Sequence, residues 1–196
     1  YQGGATLSID NPFKLNDLFY ITGNHDLGGG DKEIKHRGTR GYALHYSIPF
    51  GYTTLSLNSN AFRYYQMIPG EDADYKYKGT SKTHEIGLSH ILHRDQTSKT
   101  SVSIGGWWRS SRNFIEDTEV EVQRRRMAGF TLGLSHQLQI KNLSLEASIT
   151  YKRGTGAFKA LPAPEEEFGE GTSRFRLIRA NVSWQYPFTI KDYSLR

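Results

Sequence analysis

Apolar and polar residues alternate with a period of two along most of the chain, most regularly between Gly41 and Phe62. One phase holds Tyr42, Leu44, Tyr46, Ile48, Leu55 and Leu57, and the other holds Ala43, His45, Ser47, Ser56, Asn58 and Asn60. Successive side chains of a strand point to opposite faces, so this stretch predicts strands with one apolar and one polar face. Pro49 lacks an N–H, and Gly51 tolerates a positive φ, so the two residues predict a reversal between the strands.

The same alternation predicts strands in most other parts of the chain. They cover residues 1–10, 18–26, 83–93, 100–110, 128–136, 143–152 and 175–186. The apolar phase of 18–26 is ambiguous, and Glu119–Gln123 (EVEVQ) alternates, which predicts an extension of the strand that follows it. With the hairpin, about nine strands result, and Tyr193 begins another.

Connections between these strands alternate between short and long. Short turns lie near residues 11–16, 49–51, 94–99, 138–142 and 187–192, and long loops lie near 27–38, 66–79, 113–123 and 154–172. Transmembrane barrels have short periplasmic turns and longer extracellular loops, with Tyr and Trp at the membrane interfaces. The pattern therefore predicts an all-β fold, the wall of an antiparallel transmembrane β-barrel. A soluble up-and-down barrel or sandwich, with the apolar faces forming a core, is the alternative.

Composition excludes several classes of protein. No apolar run approaches the roughly 18 residues of a membrane helix, and the chain contains no cysteine, which excludes disulfides, thiolate metal sites and cysteine nucleophiles. The net charge of +5 is spread along the chain, so it does not favour nucleic-acid binding.

The alternation assigns residues to two environments. We expect a wet lumen around His45, Asn58, Asn60, Glu85, Arg109, Glu146, Lys152 and Arg179. We expect lipid or the aromatic girdle around Tyr42, Leu44, Tyr46, Trp108, Leu132, Ile149, Tyr151, Trp184 and Tyr186. Charges of the first set would be costly in a dry core unless paired, whereas a hydrated channel accepts them.

Candidate chemical sites are weak. The histidines at 25, 84, 90, 93 and 136 have no spacing that converges on a metal ion, and adjacent His25 and Asp26 point to opposite faces, which disfavours a water-activating pair. The run Glu165–Glu167 is interpreted as a solvated loop. Arg124–Arg126 form a charged loop base or contact lipopolysaccharide at the outer rim. The sequence therefore predicts no catalytic, cofactor-binding or metal-binding residue.

Several stretches, in order along the chain, carry a resemblance to a known family. They are GGATLSIDNPFKLND, YSIPFG, LSHILHRD, RNFIEDTEVEVQRRR, ITYKRGTGAFKAL and VSWQYPF. With them the chain resembles the barrel of two-partner-secretion transporters (TpsB), the haemolysin- and filamentous-haemagglutinin-secreting members of the Omp85 superfamily. The resemblance implies a 16-stranded barrel preceded by two POTRA domains. Residues 1–196 would form a partial barrel domain, from the second strand to the beginning of the eleventh, with the POTRA domains and C-terminal strands outside it. The diagnostic Val-Arg-Gly-Phe/Tyr tip is not among these residues.

The implied function is an outer-membrane pore of a Gram-negative bacterium. It would export a partner exoprotein, such as an adhesin, a haemolysin or a contact-dependent toxin, in contact with the bilayer and lipopolysaccharide. It would use no cofactor and catalyse no reaction. The alternatives are a passive porin, a small outer-membrane barrel enzyme, or a soluble β-sheet binding protein. We expect these 196 residues alone not to form a closed transporter, because an open sheet leaves unsatisfied edges in hydrocarbon.

Overall fold

The computed structural model describes residues 1–27, 37–70, 73–190 and 193–195, and this part of the chain is almost entirely β-strand. The strands are β1 (Gln2–Asp10), β2 (Leu18–Asp26), β3 (Arg37–Phe50), β4 (Thr53–Ile68), β5 (Tyr75–Arg94), β6 (Ser98–Ile115), β7 (Thr118–Glu119), β8 (Arg125–Ile140), β9 (Leu143–Thr155), β10 (Arg176–Gln185), β11 (Phe188–Ile190) and β12 (Tyr193–Leu195). Short 3-10 helices cover Glu121–Gln123 and Pro164–Phe168. No helix in the described ranges is long and apolar enough to cross a bilayer.

The strands form one antiparallel meander in chain order, β1-β2-β3-β4-β5-β6-β8-β9-β10, with β7 paired to the end of β6. Strands β11 and β12 form a separate two-stranded sheet. Within the described residues the large sheet is open, with β1 and β10 as its edge strands. An antiparallel meander needs only tight turns between neighbours, which the short connections provide.

Short side chains and one glycine build these tight turns. The buried Asp17 carboxylate accepts hydrogen bonds from the backbone N–H groups of Phe13 and Leu15. Gly51 has φ of 59°, the left-handed conformation expected of it. Asp95 accepts hydrogen bonds from the Thr97 and Ser98 amides at 2.7 and 2.6 Å, which closes the β5–β6 turn.

The register carries the alternation across the whole sheet. One row of directly paired residues reads Ile48, Leu55, Leu88, Ile104, Leu132, Tyr151 and Ile178. We call the face with this row the apolar face and the opposite face the polar face. The register also resolves the phase of β2, because Phe19 pairs with Tyr46 and Ile21 pairs with Leu44 on the apolar face.

The apolar residues of the apolar face form a band across the strands, which we call the belt. The strands are inclined to this belt. A row that starts in the belt at Leu7 passes through Ile21, Leu44, Ser59, His84, Trp108 and Ala128, and ends at Thr155. Thr155 is the last residue of β9, beyond the belt of that strand. The belt therefore crosses the register diagonally, as it does where strands tilt against a barrel axis.

No layer of described residues covers the apolar face. Among the described residues, the buried hydrophobic side chains are Ile48, Ala61, Trp107 and Ala128. By contrast, Val182 and Trp184 on the apolar face are 70% and 78% exposed. The chain therefore does not fold as a sandwich whose apolar faces form a core, and so continuous an apolar surface requires another non-aqueous partner.

Several predicted boundaries are wrong. The predicted loop at 66–79 is mostly strand, because β4 continues to Ile68 and β5 begins at Tyr75. Beyond the belt the alternation no longer separates the faces, since Tyr75 and Tyr77 lie on the polar face and Lys76 and Lys78 on the apolar face. Glu119–Gln123 is not a strand throughout: Arg124 donates two hydrogen bonds to Glu119, and the chain between them turns as a 3-10 helix. Pro49 lies in β3 opposite Thr54, one residue from the strand end, where its missing N–H removes at most a terminal bond.

Two further predicted connections lie near the ends of the chain. Part of the predicted turn at 187–192 is strand, since Phe188–Ile190 form β11. The glycine-rich loop predicted at 28–38 lies largely outside the described residues.

Candidate functional site

The polar face carries every residue predicted for the lumen. The register places His45, Asn58, Asn60, Glu85, Arg109, Glu146, Lys152 and Arg179 on it. Cross-strand hydrogen bonds join some of them, such as His45 Nδ1 with Asn58 Oδ1 at 2.7 Å and Gln137 Nε2 to Glu146 at 3.3 Å. Tyr20 also stacks on His45, with ring centroids 4.8 Å apart.

Most charges on the polar face have uncharged residues directly opposite. Arg179 pairs in the register with Thr150, and Arg109 with Thr83. Glu85 lies opposite Trp107. Charges without counter-ions are costly in a dry interior, so this arrangement suits a face in contact with water.

The apolar face carries the residues predicted for lipid or the girdle. It includes Tyr42, Leu44, Tyr46, Trp108, Leu132, Ile149, Tyr151 and Trp184. Tyr186 follows the last residue of β10 and is exposed. That these two faces meet lumen and lipid stays a prediction.

The most ordered feature of the polar face is a cluster around Trp107. Trp107, Gly129, Gly154 and the residue opposite Gly154, Phe175, lie along one row. Trp107 is only 7% exposed and stacks on Phe175, with centroids 5.8 Å apart. The Lys152 ammonium lies 4.4 Å from the centre of the indole, a cation–π contact.

Gly129 makes room for this indole, and Gly154 lets the β9–β10 connection approach β9. A Cβ at Gly129 would overlap the Arg153 carbonyl oxygen and approach Trp107 Cζ2 to 2.8 Å. A Cβ at Gly154 would overlap the Ser173 carbonyl oxygen. Here the backbones of β8, β9 and the β9–β10 loop approach more closely than side chains permit.

The β9–β10 loop is fastened to β8 by a salt bridge and a backbone bond. The Arg125 guanidinium, which projects from the polar face, donates two hydrogen bonds to the Glu165 carboxylate. The Leu161 amide donates to the Arg126 carbonyl at 2.8 Å. We call residues 156–175 the clipped loop, because these bonds hold it beside the Trp107 cluster.

A second set of hydrogen bonds orders the interior of the clipped loop. The Ser173 hydroxyl, which is buried, donates to the Leu161 carbonyl at 2.7 Å. Glu166 accepts hydrogen bonds from the Thr172 hydroxyl and the Ser173 amide at 2.8 and 2.9 Å. The interpretation of Glu165–Glu167 as a solvated run is therefore wrong for two of the three residues.

Three of the described histidines bond to hydroxyl groups on neighbouring strands. His84 lies 3.0 Å from Ser59 Oγ, His90 lies 2.8 Å from Thr53 Oγ1, and His136 lies 2.9 Å from Thr100 Oγ1. In the ranges that the structure describes, no three His, Asp or Glu side chains come together as metal ligands would. These side chains strengthen cross-strand pairs.

The profile of one protein family matches this chain from end to end. The haemolysin secretion/activation protein family ShlB/FhaC/HecB matches residues 1–196. The chain belongs to the ShlB/FhaC/HecB family. The resemblance to this transporter family, predicted from the quoted sequence stretches, is therefore confirmed.

Individual family members are similar over almost all of the chain. The outer membrane transporter CdiB-2 of Burkholderia pseudomallei (strain 1026b) is 28% identical over 189 residues, which are 96% of this chain and 32% of that protein. The structure of CdiB from Escherichia coli superposes with a TM-score of 0.86 at 25% identity, and covers 96% of this chain and 34% of its own. CdiB from Acinetobacter baumannii gives a TM-score of 0.80 at 30% identity, with 99% and 33% covered. The chain thus spans about a third of the length of these relatives and has the fold of the corresponding third of a CdiB barrel.

The salt bridge between Arg125 and Glu165, which holds the clipped loop in this member of the ShlB/FhaC/HecB family, was not predicted from the sequence. Arg125 and Glu165 are 40 residues apart, and neither belongs to a pattern with a fixed spacing. The signal that was available is compositional: the basic run 124–126 follows one long connection, and the acidic run 165–167 lies within the next. Arg124 and Arg125 are committed to Glu119 and Glu165, which leaves Arg126 as the member of the run without a carboxylate partner in the described part of the chain.

The salt bridge between Arg125 and Glu165 should weaken in acid, and the clipped loop should then lose protection. The hydrogen bonds from Arg125 lower the pKa of Glu165 from 4.5 to about 2. A carboxylate whose pKa is depressed in the fastened loop stabilises that loop fully above pH 4.5, and the contribution is lost as the pH falls through about 2. We expect hydrogen exchange at amides of residues 157–170, corrected for intrinsic rates, to rise between about pH 5 and about pH 2. Glu165→Gln should exchange fast at neutral pH with less pH dependence, and a wild-type loop with constant protection would contradict this role of the salt bridge.

Proposed function

We propose that this chain is part of the wall of an outer-membrane pore in a Gram-negative bacterium, which exports a large partner protein. The partner would be an adhesin, a haemolysin or a contact-dependent toxin. One observation carries the proposal: a two-faced sheet with an exposed apolar face and a polar face, in a chain of the ShlB/FhaC/HecB family. The names of the relatives, outer membrane transporter CdiB and hemolysin transporter ShlB, agree with it.

The pore requires more strands than the nine of this meander. The open edges at β1 and β10 would leave amides unsatisfied in hydrocarbon, at a cost of several kcal/mol for each group. We propose a closed barrel of 16 strands to which residues 1–196 contribute this sheet. Barrel diameter grows with strand number, and a wider barrel accommodates both the Trp107 cluster and a passing chain.

Transport would depend on contacts of the polar face alone. Hydroxyl, amide and scattered charged side chains offer an extended polypeptide many weak hydrogen bonds and no single tight site, so the chain can move on. No nucleotide or metal enters the process, and the proposal includes no catalytic step. The clipped loop borders the polar face near the long-loop end, and it would narrow the exit there.

The apolar face would meet the bilayer. Its belt of Leu, Ile, Val and aromatic residues would contact acyl chains, and Tyr42 and Trp184 would lie at opposite edges of that belt. Lipid is the non-aqueous partner that the uncovered face requires.

Export by the full-length protein tests this proposal against a passive porin and against a barrel enzyme. We would express it with its partner gene in a Gram-negative host and measure partner in the medium, uptake of small solutes, and cleavage of outer-membrane peptide and lipid substrates. We expect partner protein in the medium only when the transporter is present. Solute uptake or substrate cleavage without partner export would contradict it.

A further inference from the structure

A row of basic side chains follows the long-loop edge of the apolar face. It has one member on each strand from β3 to β10, apart from the short β7. The members are Arg40, Arg63, Lys82, Arg112, Arg126, Arg153 and Arg176. All project from the same face as the belt, between its last apolar residues and the long loops. We call them the basic row.

The basic row runs parallel to the belt and does not follow the rows of directly paired residues. Arg40 and Arg63 are directly paired, and so are Arg153 and Arg176. The register row of Arg153, however, does not lead to Arg40. It passes through Phe130, Gly106, Ile86 and Leu57 and reaches Tyr46, inside the belt. The basic row therefore crosses the register diagonally with the belt, so it marks one height along the sheet.

Among the described residues, the apolar face supplies one carboxylate near this row, that of Glu119. In the nine strands of the meander, the described acidic residues Asp10, Asp26, Glu85 and Glu146 all lie on the polar face. Arg112 lies 4.0 Å from Glu119, a residue of β7 that Arg124 binds more closely. None of the ion pairs among described residues includes Arg40, Arg63, Lys82, Arg153 or Arg176.

Paired arginines on neighbouring strands repel each other. Side chains directly opposite in an antiparallel pair have Cβ atoms about 5 Å apart, and like charges there are destabilising. Two such pairs, with no carboxylate opposite them among the described residues, favour an anion as their partner. Arginine suits phosphate best, because its planar guanidinium donates two parallel hydrogen bonds to phosphate oxygens.

A depression beneath the row offers a seat for such an anion. It has a volume of about 770 Å³ and spans β1 to β5. Small residues, Ala5, Gly23 and Ala61, form its floor on the apolar face, and Arg40, Arg63 and Lys82 border it. On the opposite side of these small residues the belt begins, so a ligand here would have its charge at the basic row and its apolar part against the belt.

We propose that the basic row binds the phosphate groups of a phosphorylated, acylated saccharolipid of the outer leaflet, lipopolysaccharide, with the depression at β1–β5 as its principal seat. The proposal rests on the membrane orientation given under the proposed function. Phosphates would neutralise the facing arginines, and acyl chains would cover the belt below them. The basic row, which shares only Arg126 with the run Arg124–Arg126 suggested by the sequence, would thus be the main lipopolysaccharide contact.

Binding of defined lipids to the full-length protein in detergent tests the proposal. The probes are lipid A carrying its two phosphates, the same lipid after enzymatic dephosphorylation, and inorganic pyrophosphate, each followed by native mass spectrometry. The variant is Arg40→Gln/Arg63→Gln, and the control is Arg109→Gln/Arg179→Gln, which removes two charges from the polar face. A basic residue near an anionic lipid surface contributes about fivefold, so we expect the variant to lose about 30-fold in lipid A affinity and the control to lose little.

Each of the three probes has a result that would support the proposal and a result that would overturn it. Dephosphorylated lipid A should bind the wild-type protein as weakly as phosphorylated lipid A binds the variant, and this arm needs no mutation. Pyrophosphate should bind weakly without acyl chains; tight binding of pyrophosphate would identify a free-phosphate site and overturn the proposal. Equal binding of the two lipids, or equal losses in variant and control, would also overturn it. Intact partner export in any of these cases would leave the proposed function standing.

Discussion

Ile149→Arg is expected to destabilise the assembled barrel by about 2–4 kcal/mol, because it places a charge on the lipid face near the middle of the belt. Ile149 is 48% exposed on the apolar face and pairs with Leu134 and Ala180. The measurement is the urea midpoint of the full-length protein folded into lipid vesicles, followed by its heat-modifiable mobility. Ile149 lies in the middle of β9, so the substitution does not disturb the loops directly.

Ser148→Arg is the matched control for that substitution. Ser148 is the adjacent residue, points to the polar face, and pairs with Ser135 and Asn181, which are small and polar. The same side chain placed there should remain hydrated, and the free energy of unfolding should fall by less than about 1 kcal/mol. Equal losses at positions 148 and 149 would show that the two faces do not meet different solvents.

Trp107→Ala should release the clipped loop. Removing a buried tryptophan costs about 3 kcal/mol or more, and here the lost contacts are with Phe175 and Lys152. We expect rapid cleavage between Ala157 and Glu170 by protease added outside cells, and a larger single-channel conductance of the full-length protein in planar bilayers.

The neighbouring tryptophan provides the comparison. Trp108 projects from the apolar face and stacks on His84 with centroids 5.4 Å apart. Trp108→Ala removes a similar volume, but it should leave the clipped loop resistant to protease and the conductance unchanged. If both variants open the loop, or neither does, the Trp107 cluster does not hold it.

The two faces of the sheet could be predicted because alternation is a local property. His45 and Leu44 differ by one position, and that difference alone decides their faces. Strand ends such as Tyr75 were harder to predict, because beyond the belt the alternation no longer separates the two faces.

The Trp107 cluster and the basic row could not be predicted, because both depend on register. Trp107 meets Phe175 across the width of two strands, over positions where Gly129 and Gly154 lie. Arg40 and Arg63 become a pair only when the β3–β4 turn is fixed at Gly51–Tyr52. A shift of one residue in that turn would have moved one arginine to the other face.

The most direct test of the central claim, that the polar face lines an export path, is crosslinking to a partner protein stalled in transit. Photoreactive residues would be placed singly at Asn58, Glu146 and Arg179 on the polar face, and at Leu57, Leu145 and Ile178 on the apolar face. We expect partner adducts at the first three positions and adducts only with lipid at the second three. Partner adducts at Leu57, Leu145 and Ile178, with none at their polar neighbours, would contradict it.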